Sequence, residues 1–238
     1  MHRLIPYAHR GGAGEVVENS DIAVARTAAR AGWRLETDVR LSADGHIVLS
    51  HDANLRRAWG VDIDVAGATW DELAAVRGPD GEHLIRLVDV LASYPELWIN
   101  IEPKDDAVVA PLVAAIRDAG AQRRVIVSSF HSRRIRRLRR LAPEIPTGAT
   151  PGIVAALVIG SQLTIDVPVR GCVAVQIPPT WNGLPVLTRR LVCAAHRRGI
   201  EVHVWTIDDA VEMRRLIDLG VDAIMTDYPD RLAHILDR

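Results

Sequence analysis

The chain has 238 residues, 29 of them Lys or Arg and 30 Asp or Glu, for a formal net charge of −1. That balance excludes a nucleic-acid binder driven by bulk positive charge. No apolar run is long enough to span a bilayer, which leaves only peripheral membrane contact open.

The first hydrophobic run, 4–8, is expected to be a strand, and "HRGGAGEVVENS" follows it directly. Further strands are expected at 33–41, 47–50, 97–102, 125–130, 147–150, 172–177, 202–207 and 223–226. Helical patterns fall between them at 22–31, 107–119, 132–141, 188–198 and 210–219, several closed by glycines at Gly32, Gly120, Gly199 and Gly220. Asn19-Ser20-Asp21 reads as an N-cap cluster for the first helix. The arginine-rich "SRRIRRLRRL" at 132–141 reads as an outer helix with a solvated cationic face and Ile135, Leu138 and Leu141 packed inward.

Strand–helix alternation over a chain of this length predicts an α/β fold, a closed (β/α)8 TIM barrel in a single domain over 1–238. Residues 53–96 contain no good strand and are expected to form an insertion in one β/α unit, with short helices at 70–76 and 87–93. Cys172 and Cys193 have neither CxxC nor zinc spacing. They are expected to be buried small residues in a reducing compartment. With no charged-then-apolar leader at the start of the chain, the protein is expected to be cytoplasmic.

Barrel enzymes place their chemistry at the C-terminal ends of the strands, and here those ends are polar. The first run ends in His9 and Arg10, and 47–50 leads into His51-Asp52. "LETDV" puts Glu36 and Asp38 on one face of a strand, and "NIEPK" carries Glu102 two residues before Lys104. Two carboxylates confined in a barrel mouth need a compensating cation or protons. A third, Glu102, makes an all-oxygen set suited to a hard ion, Mg2+ or Ca2+. His9 and His51 could flank one reacting centre as proton donor and acceptor. Arg10 and Lys104 supply positive charge suited to a phosphate ester, and can equally salt-bridge to the nearby carboxylates. Asn19 could also face the site, and Trp205 is either core or a wall against an apolar substrate part.

Taken together, "AHRG…ENS", "ETDVRLSADGHIVLSHD", "NIEPK", "VIVSSF", "VHVWTID" and "DAIMTDYP" resemble, in order and spacing, the glycerophosphodiester phosphodiesterase family, TIM-barrel relatives of phosphatidylinositol-specific phospholipase C. The resemblance runs from His9 to Pro229. It implies one divalent metal on Glu36, Asp38 and Glu102, His9 and His51 as the acid/base pair, and Arg10 and Lys104 on the phosphate. It places Asn19 on the asparagine of a "PENT" motif, here "VENS", and Phe130 and Trp205 on site-lining aromatics. It makes 53–96 the insertion that caps the mouth and shapes substrate choice.

The expected activity is metal-dependent hydrolysis of a small glycerophosphodiester to glycerol 3-phosphate and an alcohol. The nucleophile is either water or the substrate's own 2-hydroxyl. Two alternatives stand beside it: a lysophospholipase D-like activity on acylated substrates, and a non-catalytic barrel that binds a phosphorylated ligand. The alcohol head group and the oligomeric state are not set by the sequence.

Overall fold

A computed structural model describes residues 4–163, 165, 167, 169 and 171–237. Its strands, in chain order, are β1 (Ile5–His9), β2 (Arg34–Leu41), β3 (Ile47–Leu49), β4 (Trp98–Pro103), β5 (Val125–Val127), β6 (Ala174–Ile177), β7 (Thr180–Trp181), β8 (Leu184–Pro185), β9 (Glu201–Val204) and β10 (Ala223–Thr226). The helices are α1 (Asp21–Ala28), α2 (Arg56–Trp59), α3 (Trp70–Ala74), α4 (Leu87–Ser93), α5 (Val109–Asp118), α6 (Ser132–Leu141), α7 (Pro151–Leu163), α8 (Arg189–His196), α9 (Ala210–Leu219) and α10 (Pro229–Leu236).

Parallel pairing runs β5-β4-β2-β1-β10-β9-β6, and β3 lies antiparallel on β2. The stretch expected as a strand at 147–150 forms isolated bridges instead. Thr147 pairs with Val127 and Gly148 with Ala174, both in parallel. These bridges join β5 to β6 and close the sheet into a barrel.

Alternation along each strand divides the residues between two environments. Leu35, Val39, Ile99, Ile101, Val125 and Val127 turn outward into one core shared with α4, α5 and α6. Val175, Ile177, Val202, Val204 and Ile224 do the same against α8, α9 and α10. Their odd-man neighbours Glu36, Asp38, Asn100, Glu102, Gln176 and His203 are thereby directed to the interior, where polar groups can collect.

Side-chain caps fix the starts of α1 and α9. Ser20 Oγ accepts from the Ala23 N–H at 3.1 Å, so α1 begins where the N-cap cluster places it. Asp209 caps α9 through the N–H groups of Val211 and Glu212.

Several expectations are corrected. Val48, Leu55, Trp59, Val65, Leu73 and Leu84 form a satellite core of their own. Leu87, Val90 and Leu91 of α4 pack in the main core instead. The excursion therefore ends before α4, and the last part of 53–96 is a barrel helix. Leu141 is exposed at the end of α6. Cys193 is exposed and Cys172 half-buried, so neither is a core residue. Helix α7 and the β7-β8 hairpin are additions to the expected elements. Among the described residues, no helix is long and apolar enough to cross a membrane.

Candidate active site

The turn after β1 is left-handed over three consecutive residues, Arg10 (φ 51°), Gly11 (φ 80°) and Gly12 (φ 102°). At Gly11 glycine is required twice over: φ is positive, and a Cβ would lie 2.5 Å from the Cβ of Ala23. The turn thus seats against α1 and brings the Arg10 N–H to Glu36 Oε2 at 3.2 Å.

His9, the last residue of β1, has its Nδ1 2.6 Å from Asp227 Oδ1 and its Nε2 3.7 Å from Glu36 Oε2. Burial alone would lower its pKa, but Glu36 and Asp227 outweigh burial and raise it. His51 holds the matching relation to Asp52, with Nδ1 2.7 Å from Oδ1. The Arg40 guanidinium donates twice to the His51 carbonyl, at 3.0 and 2.8 Å.

The three carboxylates do not share one environment. In register, Glu36 stands beside His9 and Asn100, and Asp38 beside Glu102. Lys104 Nζ lies between the latter two, 2.8 Å from Asp38 Oδ1 and 2.8 Å from Glu102 Oε2. Burial opposes the charge on Asp38, yet Lys104 and Arg10 hold its pKa below the usual range. Among the described residues, the only ion-pair partner of Glu36 is His9. Burial, followed by the Asp38 charge, pushes its pKa up to about 7. Among the described residues, no three His, Cys, Asp or Glu side chains already stand at metal-ligand spacing.

Arg10 Nη1 donates to both oxygens of Glu18, at 3.1 and 3.2 Å. Its Nε is 3.3 Å from Asp38 Oδ2 without hydrogen-bond alignment, a buried donor left open among the described residues. Asn19 (φ 57°) is 1% exposed, and both ends of its amide are engaged. Oδ1 accepts from Thr37 Oγ1 at 2.7 Å and Nδ2 donates to Asp38 Oδ2 at 3.4 Å, so in this arrangement Asn19 supports Asp38. Phe130 and Trp205 meet edge to face with ring centroids 5.4 Å apart, and the Phe130 N–H donates to Glu102 Oε1 at 3.4 Å.

Two polar strand residues lie deeper. Gln176 donates to Asn100 Oδ1 at 2.9 Å, and the fully buried His203 meets Glu201 at 2.8 Å through Nε2. Sequence reasoning gave no role to Asp227, the partner of His9, or to Glu18, the partner of Arg10. The only available signal was position: Asp227 directly follows the last barrel strand, and Glu18 sits beside Asn19 in the loop after β1.

The barrel can be compared with solved structures. The crystal structure of glycerophosphodiester phosphodiesterase from Agrobacterium tumefaciens str. C58 superposes with a TM-score of 0.79 at 25% identity, covering 97% of this chain and 100% of that one. An Oleispira antarctica phosphodiesterase, solved in complex with the product sn-glycerol-3-phosphate, shares the fold with a TM-score of 0.78 at 23% identity, covering 98% of this chain and 96% of that one. The fold is thus one shared with barrel phosphodiesterases. The profile of the glycerophosphoryl diester phosphodiesterase family matches residues 9–231, and the chain belongs to that family. A Mycobacterium tuberculosis relative named "Probable glycerophosphodiester phosphodiesterase 2" is 33% identical over 98% of this chain and 90% of its own length.

Proposed function

We propose that this chain hydrolyses glycerophosphodiesters to glycerol 3-phosphate and an alcohol, with His9 and His51 transferring protons and one divalent cation, Mg2+ or Ca2+, held by Glu36, Asp38 and Glu102. One observation carries this reading. Each of the two histidines follows or ends a strand and has its Nδ1 on an aspartate, at 2.6 Å for His9 and 2.7 Å for His51. An Nδ1–H held by a carboxylate fixes tautomer and ring orientation, leaving Nε2 for the reaction. One Nε2 takes the proton of the attacking hydroxyl, and the other returns a proton to the departing alkoxide.

The phosphate is bound by this chain's own cations. Arg10 keeps a buried Nε without a hydrogen-bond partner among the described residues, and its planar fork matches phosphate oxygens. The Lys104 ammonium is held close by Asp38 and Glu102, on a flexible stem that suits a point-charge contact to phosphate. Three oxygen-only donors fit a hard divalent cation better than a soft one, and Glu36, which has no Lys or Arg ion pair among the described residues, is the donor with most need of it. When bound, such a cation polarises the phosphoryl oxygens and offsets the charge that builds up in the transition state. Phe130 and Trp205 offer an aromatic wall to the alcohol head group. The product named for the Oleispira relative is the one this reaction releases. The exposed Cys193 suits a reducing, cytoplasmic setting.

The test is release of glycerol 3-phosphate from glycerophosphocholine and glycerophosphoethanolamine, first with EDTA and then with Mg2+ or Ca2+. Release that requires the metal supports the reading. Release indifferent to EDTA removes the cation from it. Turnover confined to monoacyl substrates would make the protein a lysophospholipase D-like enzyme.

A further inference from the structure

Arg57 stands on α2, in the excursion rather than on the barrel. Its neighbours on that helix, Ala58 and Trp59, belong to the satellite core. Its guanidinium nevertheless reaches two carboxylates of the mouth. Nε donates to Asp52 Oδ2 at 2.6 Å, while Nη1 and Nη2 donate to Glu18 Oε2 and Oε1 at 2.8 and 2.7 Å. Each carboxylate has a second partner in the site. Asp52 uses its other oxygen on His51 Nδ1 at 2.7 Å, and Glu18 binds Arg10 Nη1 at 3.1 Å. One unbroken chain of charge-assisted contacts therefore runs His51, Asp52, Arg57, Glu18, Arg10.

We infer that Arg57 is a positioning residue for this reaction: it fixes the His51 imidazole through Asp52 and keeps the Arg10 guanidinium available to phosphate through Glu18. The inference rests on the roles proposed above for His51 and Arg10. A carboxylate that orients a histidine does so only while its own rotamer is held, and Arg57 supplies the hold on Asp52. Glu18 is buried and has no other cation but Arg10 among its ion pairs in the described residues. Without Arg57, the whole Glu18 charge falls on Arg10, which already faces Asp38 at 3.3 Å, and phosphate must compete for it. Arg is required because one side chain must serve two carboxylates at once, with a parallel pair of bonds on one of them; a lysine ammonium is a single point charge. The excursion would in this way set the geometry of two site residues from a core separate from the barrel.

The experiment compares wild type with Arg57→Ala, Arg57→Lys, Asp52→Asn and the double variant Asp52→Asn/Arg57→Ala. It reads kcat and KM on glycerophosphocholine, thermal midpoints, and the affinity for sn-glycerol 3-phosphate by calorimetry. Arg57→Ala is expected to lower kcat about 10- to 100-fold, the usual cost of losing an outer-shell partner, and to weaken glycerol 3-phosphate several-fold. Arg57→Lys should recover only part of either loss. On the Asp52→Asn background, Arg57→Ala should cost less in kcat than it does in wild type, because both act through His51. Arg57→Ala with kcat and affinity both within twofold of wild type would overturn the inference, as would losses that multiply independently in the double variant. Should Arg57→Ala fail to fold, full activity in Arg57→Lys would reduce Arg57 to a structural charge and overturn it as well. Absence of turnover in wild type would be a failure of the functional reading instead, and glycerol 3-phosphate affinity would still report on the Arg10 arm.

Discussion

His9 and Asp227 lie 218 residues apart in the chain and 2.6 Å apart in the barrel. The contact exists because β1 and β10 are neighbours in parallel register, with Ala8 opposite Thr226, so the next residue along each chain, His9 and Asp227, meets the other. Closure of the sheet thus builds half of the proposed acid/base pair. Asp227→Asn keeps shape and hydrogen-bonding capacity but removes the charge that orients and supports the imidazole. It is expected to lower kcat roughly 100-fold or more with little change in KM, since proton transfer in the transition state is what the pair serves. Steady-state kinetics on glycerophosphocholine checks this, and a variant whose KM alone changed would assign Asp227 to binding.

Lys104 is the counter-charge of two buried carboxylates. In Lys104→Met, Asp38, which is 2% exposed, and Glu102 lose their shared partner at 2.8 Å. Breaking such a pair on one side costs about 3 kcal/mol or more. Urea unfolding in EDTA should show a loss of that order, and saturating Mg2+ should return part of it. An unchanged midpoint in EDTA would mean that water, not Lys104, compensates these charges.

Glu36 sets a pH dependence of the opposite sign to that of an ordinary salt-bridged acid. Its pKa in the folded chain is raised from 4.5 to about 7 by burial and then by Asp38. Between those values the folded state binds more protons than the unfolded state, so metal-free stability should fall as pH rises from about 4.5 to about 7. Thermal melts in EDTA across that window test it. Glu36→Gln should flatten the decline. A metal-free wild type that gains stability over the same range would show that Glu36 is not the titrating group.

Gly11 is the tightest point of the turn that carries Arg10. Alanine there must adopt φ near 80° and place its Cβ 2.5 Å from that of Ala23. The expected cost is about 2 kcal/mol or more, together with a raised KM as the Arg10 turn moves off α1. Full stability with normal KM in Gly11→Ala would show that the turn relaxes freely.

What was legible in the sequence follows from which signals are local. Period-two alternation at "LETDV" put Glu36 and Asp38 on the interior face, and both are buried there. The Ser20 cap, the strand ending at His9 and the polar strand ends were equally readable. Pairings between distant segments were not. Nothing near position 9 points to Asp227, and nothing near Arg10 points to Arg57. Helix α7 was missed because its sequence, PGIVAALVIGSQL, is apolar all round and shows no 3.6-residue stripe. The β7-β8 hairpin did carry a local signal in Asn182-Gly183, whose φ values of 49° and 78° suit a two-residue turn, but its strands are only two residues each. The end of the insertion was misplaced because α4 is continuous with it in pattern, and only packing assigns Leu87, Val90 and Leu91 to the barrel.

His9 and His51 are the proposed proton carriers at this mouth during glycerophosphodiester hydrolysis. The most direct measurement is kcat for glycerol 3-phosphate release from glycerophosphocholine, at saturating divalent metal, in wild type, His9→Ala and His51→Ala, with glycerol 3-phosphate affinity measured alongside. Each variant is expected to lose at least about 100-fold, with product affinity kept within several-fold. Wild-type kcat in either variant would contradict it.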